Sequence, residues 1–457
     1  MNNTTAQSVI FDDLFDKPLK ATFDQADSSS DGGGVLLKAC DKNLGLIDAI
    51  SSCLRDDRQQ GKVSHSIRDL VQQRVFGIAC GYEDCNDAAR LVNDPLQRLL
   101  MGRDPVIGDS LASQPTLSRF ENRVDGRSLV KVGHAISDRV IARHRKRLKS
   151  GVRRIAIDMD PTDDPTYGGQ QLTFFNTHCD NWCYLPVACF LQFDDEADQY
   201  AFAYVLRPGD ASADYGAISI LKRTIKKLRN AFGKIRIRVR LDGGFSSPEV
   251  LDILDEQGVE YVVAIAKNSV LKEFAEPLML KTRRSSSVSG ETQHYFGECR
   301  YEAQSWDDDR RIIFKAEVVQ HPGREPKDNP RFVVTNLKSK PAFIYHRVYC
   351  QRAPIENRTK ELLYGLNIDR TSSTRFFANQ LRGLLTLSAY VLFQELRLNS
   401  AQTSLANTQV STLRERLLKL AVWVKRSTSR IVLHLPDSAP WRQEWVQIAR
   451  VLGAHPS

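Results

Sequence analysis

The spacing of apolar side chains changes period along this chain. From about residue 35 to 150 it is helical. In "SHSIRDLVQQRVFGIACGY", Ile67, Leu70, Val71, Val75 and Ile78 recur at three and four residues and predict an amphipathic helix. "DCNDAARLVNDPLQRLLM" and "GRSLVKVGHAISDRVIARHRKRLK" follow the same rule. Between them, "SQPTLSRFENR" supplies Ser/Thr caps followed by Arg119 and Arg123. At residue 152 the period drops to two: "RRIAIDMD" sets Ile155, Ile157 and Met159 against Ala156, Asp158 and Asp160. "LTFFNTH", "WCYLPVACFLQF" and "YAFAYVLRPG" then predict an antiparallel meander.

A helix ("AISILKRTIKKLRN") precedes a second alternating strand, "KIRIRVRLDGGF". Ile235, Ile237, Val239 and Leu241 share one face, and Arg236, Arg238, Arg240 and Asp242 the other. Asp242 falls at the C-terminal edge of that strand, where active sites of open α/β sheets collect. After a helical "SPEVLDILDEQG" and an apolar strand, "EYVVAIAK", residues 268–345 change character. The loop-like "KTRRSSSVSGE", strand-like "RRIIFKAEVVQ" and "RFVVTNL", and turn-rich "HPGREPKDNP" predict a β-rich insertion. Helical pattern returns from about 349, including "TLRERLLKLAVWVKR" near the C-terminus. Residues 1–34 are polar and end in "DSSSDGGG", which predicts a flexible tail.

A chain of 457 residues is too long for one ordinary core, and 42% hydrophobic with 26% charged residues is normal for a soluble globular protein. Its longest apolar run, 381–398, is interrupted by Arg382, Gln394 and Glu395, so a buried helix is expected there and no membrane span. The N-terminal stretch lacks a basic segment followed by an apolar one, so no secretory leader is expected. The nine cysteines form no C-x-x-C pair, and "HCDNWC" (His178, Cys179, Cys183) has no partner cluster at zinc spacing. Reduced thiols in a cytoplasmic protein without structural zinc are the reading.

Net charge is +9, and it is concentrated. "RVIARHRKRLKSGVRR" (139–154), with Arg143 and Arg145, holds eight Lys or Arg, and "LKRTIKKLRNAFGKIRIRVR" (221–240) holds nine. Each run leads into a strand ending in aspartate, the charge layout of a polyanion groove around an acidic centre. A third acid, Glu356, lies in "YCQRAPIENRTKELLYGL". Pro354 belongs in a helix's first turn, which puts Glu356 near a helix N-terminus with Lys360 one turn further along its face.

Magnesium asks for oxygen ligands with few carboxylates, and a pair of ions serves in-line displacement at phosphorus. Three carboxylates from two strand ends and a helix suit that chemistry. "DMDPTDD" lacks the glycine and terminal glutamate of an EF-hand loop. A glycosidase also uses two carboxylates, but it leaves the flanking basic runs unexplained, and aromatic content is only 8%. "LDGGF" lacks the lysine of a phosphate-binding loop.

"IDMDPTDD", "RLDGGF" and the Tyr349, Arg352, Glu356 spacing resemble the catalytic segments of DDE transposases. They are most similar to insertion-sequence transposases with a Tyr-Arg-Glu signature. "GYEDCND", "QPTLSRFEN" and "DDPTYGGQQ" are similar to the group called the thirteen-eighty family of insertion sequences. The resemblance implies an α/β fold: an RNase H-like mixed-sheet catalytic core at 151–267 and 346–400, interrupted by the insertion 268–345. A helical DNA-binding domain at 35–150 precedes it, the flexible tail occupies 1–34, and a C-terminal helical region for dimerisation and DNA contact occupies 401–457.

The same resemblance implies that Asp160, Asp242 and Glu356 are catalytic and hold two Mg²⁺ or Mn²⁺ ions. Asp158 is a rival first ligand, and Asp160 is preferred because it stands two before Thr162. Tyr349 and Arg352 would contact terminal phosphates. The family's lysine falls at position 363, here Leu363, and Lys360 is the substitute. Trp306 in the insertion would stack on a flipped base. Arg119, Arg123, Arg143, Arg145, Arg236, Arg238 and Arg240 would bind DNA. The implied partners are double-stranded DNA, as terminal inverted repeats and target, and a second copy in a homodimeric synaptic complex, in a bacterial cytoplasm and at the nucleoid when bound. A non-catalytic repeat-binding protein and a general nuclease on the same core are the alternatives.

Overall fold

The change to period two at residue 152 marks the first strand of a mixed sheet. The computed structural model describes residues 8–149 and 151–456, and the chain forms two units. The sheet-bearing unit comprises Leu44–Asp57 and Phe120–Gln394. Its central strands are β1 (Arg154–Pro161), β2 (Val187–Phe193), β3 (Tyr200–Val205), β4 (Arg236–Leu241) and β5 (Glu260–Ile265). They stand in the order β5-β4-β1-β2-β3. β4 is parallel to both β1 and β5, while β1, β2 and β3 pair antiparallel.

Helices α1 (Gly126–Leu148), α2 (Ala217–Phe232) and α3 (Pro248–Glu256) belong to this unit, with α2 and α3 leading into the two parallel strands as crossovers. The strands are buried on both faces: all seven residues of β2, and Ile155 through Met159 of β1. Apart from the exposed Arg236, the polar alternation of β1 and β4 is therefore largely withdrawn from water. It is matched across the sheet interior, Arg238 to Glu260 and Arg240 to Asp158.

The segment 268–345 begins with a helix, α4 (Ser269–Ser289), where the serine-rich stretch predicted a loop. Leu271, Ala275, Met279, Thr282 and Ser286 form its buried stripe, and Asn268 caps its N-terminus. Spacing overrides composition because Thr282 returns its hydroxyl to Leu278 O, which lets a polar residue be buried inside a helix. β6 (Gln293–Tyr301), β7 (Arg310–Val319) and β8 (Arg331–Thr335) then extend the same sheet, with β8 antiparallel to β5.

The expected meander is also redrawn. Phe174–Asn176 and Asn181–Tyr184 form a separate small sheet with Asp164–Pro165. Pro186 interrupts the run, having no N–H for a ladder; its carbonyl accepts from Thr162 N instead. Helix α5 (Pro354–Lys360) carries Pro354 in its first turn, and α6 (Phe376–Asn399) accounts for the long apolar run. α6 lies along β3, where Gln394 and Gln380 accept from Ala201 N and Leu206 N, closing that sheet edge. A side chain at Gly383 would stand 2.3 Å from the Tyr204 ring, so glycine sets the approach of helix to strand. No helix among the described residues is long and apolar enough to cross a membrane.

The other unit holds the chain up to Asn43, Arg58–Arg119 and the chain from Glu395 onward. It is mainly helical, with Ile67–Ala79 started by a Ser66/Asp69 capping box. Two expectations change here. "TLRERLLKLAVWVKR" ends not as a helix but as the strand Val422–Arg426, because Val422 and Val424 are buried while Trp423 and Lys425 face out. Within the tail, Ser28–Ser29 pair with that strand, and Asp31 is buried against Gln97 and Lys419. The glycines that read as a linker are packed: Gly32 N and Gly33 N donate to Leu420 O and Leu418 O.

A Cβ on Gly33 would lie 1.6 Å from Leu417 O, so the backbones must separate to admit one. Gly33→Ala is expected to cost about 1–3 kcal/mol, in the range of overpacking. Gly61→Ala, where nothing lies within 4 Å, serves as the control in urea unfolding.

Candidate active site

Two adjacent parallel strands set the site. Their register places Arg240 opposite Asp158, and one pleat further toward the C-terminal ends come Asp242 and Asp160. Arg240 donates from Nε to Asp158 Oδ1 at 2.7 Å and from Nη2 to Oδ2 at 2.5 Å. Both side chains are inaccessible to water, at 2% and 0% exposure. Gln199 Nε2 donates to Asp158 Oδ2 at 2.7 Å, and Arg240 also reaches Gln192 Oε1 and Val348 O. Such a pair fixes register, since a slip of one residue would leave both charges buried without partners.

Asp242 leaves β4 into the turn Gly243–Phe245 and caps it, with Oδ1 accepting from Gly244 N at 2.9 Å. Glycine at 244 permits the close approach, since a Cβ there would meet Ala213 at 2.6 Å and force a shift. The segment bearing Ala213 is in turn held by Arg207, which is buried and donates to Leu185 O, Ser212 O and Ala213 O.

Arg352 joins the two strand ends. Its Nη2 lies 2.7 Å from Asp160 Oδ1 and 3.6 Å from Asp242 Oδ2, and it donates to Met159 O at 3.0 Å. Its buried Nε has no partner among the described residues. Thr359 Oγ1 donates to Asp160 Oδ2 at 2.8 Å, so both oxygens of Asp160 are engaged. Glu356 and Thr359 lie three residues apart in α5, and Arg352 ends the 3₁₀ turn Cys350–Arg352 just before it. Glu356 thus sits, exposed, between the two residues that bond Asp160. Lys360 is exposed one turn beyond it, and Leu363 is half-buried in a π-helical turn, Glu361–Gly365. Tyr349 lies in another π-helical turn, Ile344–Tyr349, packed against the cluster of Val262, Ile313, Val333 and Val348.

Burial pushes Asp242 above the usual carboxylate range; the Arg352 guanidinium and Gly244 N–H oppose this, and Asp160 adds to it. Burial likewise raises the Tyr349 hydroxyl, with Arg352 lowering it and Asp242 raising it. The site is thus a pair of crowded carboxylates held by one cation.

The model for the family described as transposase DDE domain group 1 matches residues 11–457, nearly the whole chain. The chain belongs to this family of DDE transposases. No curated protein matches. A solved structure of the piggyBac transposase synaptic complex with hairpin DNA is similar at 11% identity, covering 85% of this chain and 79% of that chain with a TM-score of 0.41.

DDE transposases use divalent ions, which take carboxylate oxygens. Asp160 and Asp242 offer only hard oxygens, and their mutual repulsion is already met by a cation. Among the described residues, however, no three His, Cys, Asp or Glu side chains gather as a metal-binding group. What converges is the aspartate pair with Arg352 and Thr359, while Glu356 stands exposed in α5. Asp158, the rival ligand, is committed to Arg240 and closed to solvent.

Several expected DNA contacts are committed elsewhere in this transposase. Arg238 pairs with Glu260 at 2.6 Å and Arg240 with Asp158, because their strand is covered on both faces. Trp306 is only 9% exposed, with Arg310 over its ring and Tyr301 at its edge, so it presents no free face to a base. Arg119, Arg123, Arg145 and Arg236 are exposed, and Arg143 is half-buried. Sequence reading missed Thr359, Arg207 and Glu361. Glu361 is buried, accepting from Tyr390 at 2.6 Å and Arg358 at 2.7 Å, which anchors α5 to α6.

Removing one member of the Asp158–Arg240 pair leaves the other charge buried. Asp158→Leu or Arg240→Met alone is expected to lower stability by about 3–5 kcal/mol, with the double substitution recovering much of it, read by denaturant unfolding.

Asp164 gives a pH signature. Burial raises it from 3.8 to about 8, against the Thr371 hydroxyl and with Asp369 pushing the same way. The folded chain keeps a proton that the unfolded chain releases, so this contribution to stability is full below 3.8 and is lost as pH rises to about 8. Asp164→Asn should flatten that slope, giving a higher Tm than wild type at about pH 9 and a smaller gain or a deficit at about pH 5.

Proposed function

We propose that this DDE transposase binds the terminal inverted repeats of its own insertion sequence, cuts the phosphodiester at the element end and joins the freed 3′-hydroxyl to target DNA. The observation that carries the reading is the meeting of Asp160 and Asp242 at the ends of adjacent parallel strands, bridged by Arg352, with Thr359 of the Glu356-bearing helix bonded to Asp160. The strand order β5-β4-β1-β2-β3 suits an RNase H-like core, and the Tyr349, Arg352, Glu356 spacing supports membership of the thirteen-eighty family.

Asp160, Asp242 and Glu356 would hold two Mg²⁺ or Mn²⁺ ions. When bound, such a pair activates an attacking hydroxyl and stabilises the leaving oxygen. The chain's own residues do the positioning. Arg352 neutralises the carboxylate pair, Tyr349 lies beside it and would contact a terminal phosphate, and exposed Lys360 extends the positive edge. Exposed Arg119, Arg123, Arg145 and Arg236, with Arg143, neutralise backbone phosphates, so end binding falls steeply with salt. Residues 35–150 would bind the repeat, and two copies would pair two ends. Such a protein works in the bacterial cytoplasm, at the nucleoid when bound.

The test uses labelled duplex bearing the element end, with Mg²⁺ or EDTA, and compares wild type with Asp242→Asn and Glu356→Gln. Metal-dependent cleavage at the boundary should be lost at least about 10²-fold in both variants, a few kcal/mol of barrier, with end binding kept. Binding without cleavage in wild type, with Mn²⁺ and two ends supplied, indicates a non-catalytic repeat-binding protein. Cleavage indifferent to the end sequence indicates a general nuclease.

A further inference from the structure

The hairpin Ser8–Phe11/Leu19–Thr22 is a two-stranded sheet of its own. Every residue of both strands is exposed. Along it and its flanks, Val9, Ile10, Phe11, Leu14, Phe15, Leu19 and Phe23 are each 43–83% exposed. A lone two-stranded hairpin is marginal in water, and clustered exposed apolar side chains mark an interaction surface. Residues 8–27 carry five aspartates against two lysines, in a chain whose net charge is +9. That sign repels DNA phosphates and suits a basic protein surface.

The sheet-bearing unit offers such a surface. Between α1, α2 and α6 lies an apolar groove of about 230 Å³, lined by Leu129, Phe202 and Leu384 with the exposed Val130 and Phe377. Its volume falls below the roughly 300–1,000 Å³ of small-molecule sites, which favours side-chain anchors. Its polar side carries His134, Arg223 and Lys227, the last also paired with Asp138.

We propose that the acidic, apolar hairpin of one copy docks in this cation-edged groove of a second copy. The exchange is reciprocal, so each dimer contains the contact twice. Apolar anchors supply the affinity, and the opposite charges select the partner and speed the encounter. The proposal rests on the reading above, in that synapsis of two DNA ends is what the dimer serves.

The test is the mass of the full chain without DNA, by light scattering after gel filtration. Wild type should be a dimer, while Phe11→Ser/Phe15→Ser and Val130→Glu should each halve the mass. Combining them should add nothing, and Val130→Lys should retain more dimer than Val130→Glu. All of these replace exposed side chains, and unchanged thermal melts of the variants check that the fold is kept. A monomeric wild type, or a dimer surviving the hairpin variant, overturns the proposal; a dimer surviving Val130→Glu overturns the groove as its seat. Single-end binding is measured alongside: its absence in every protein, wild type included, strikes the proposed end-binding function and leaves the dimer result standing.

Discussion

One buried ion pair sets the terms for the rest of the site. Arg240 and Asp158 lie on neighbouring parallel strands, where little but side-chain complementarity distinguishes one register from the next. Burying two charges is costly, and only their mutual contact, with Gln199 and Gln192 satisfying the remaining atoms, offsets it. Any other alignment of the strands forfeits that contact. Two residues on, the same alignment brings together Asp160 and Asp242, a repulsive juxtaposition that no register would choose for its own stability. The pair underneath therefore holds in place the strain above it. Arg240 also bonds Val348 O, so the segment leading to Tyr349 and Arg352 is tied to the same anchor.

Sequence reading reached the strands, the acidic strand ends and the helix opening at Pro354, because each has a local signature in period or in proline chemistry. It failed where the deciding contact is remote. Arg236, Arg238 and Arg240 look alike in "RIRVRL", yet only the first is exposed. Which arginines are matched depends on Glu260 and Asp158, and hence on sheet order. The serines of α4 and the glycines at 32 and 33 misled for a related reason. Composition reports what a segment tolerates, while burial against Leu417 or beneath β7 decides what it does.

Asp160 and Asp158 alternate on one strand face, and their partners differ. Asp158 faces a guanidinium inside the sheet, whereas Asp160 stands where Arg352 and Thr359 arrive from a helix almost two hundred residues later. No spacing rule reports that meeting. Trp306 shows the opposite limit: an aromatic singled out by resemblance alone is occupied by Arg310 and Tyr301.

The stretch from Ile344 to Gly365 joins two π-helical turns through a short 3₁₀ turn and α5. A π turn accommodates a residue more than an α turn, and each residue rotates a helix by about 100°. The direction in which Glu356 points is therefore encoded in the length of this stretch as much as in its letters. Substitutions at its surface positions preserve that angle, but loss or gain of a single residue swings the carboxylate to another side of the rod. The segment thus works as a ruler, for which the number of residues counts as much as their identity.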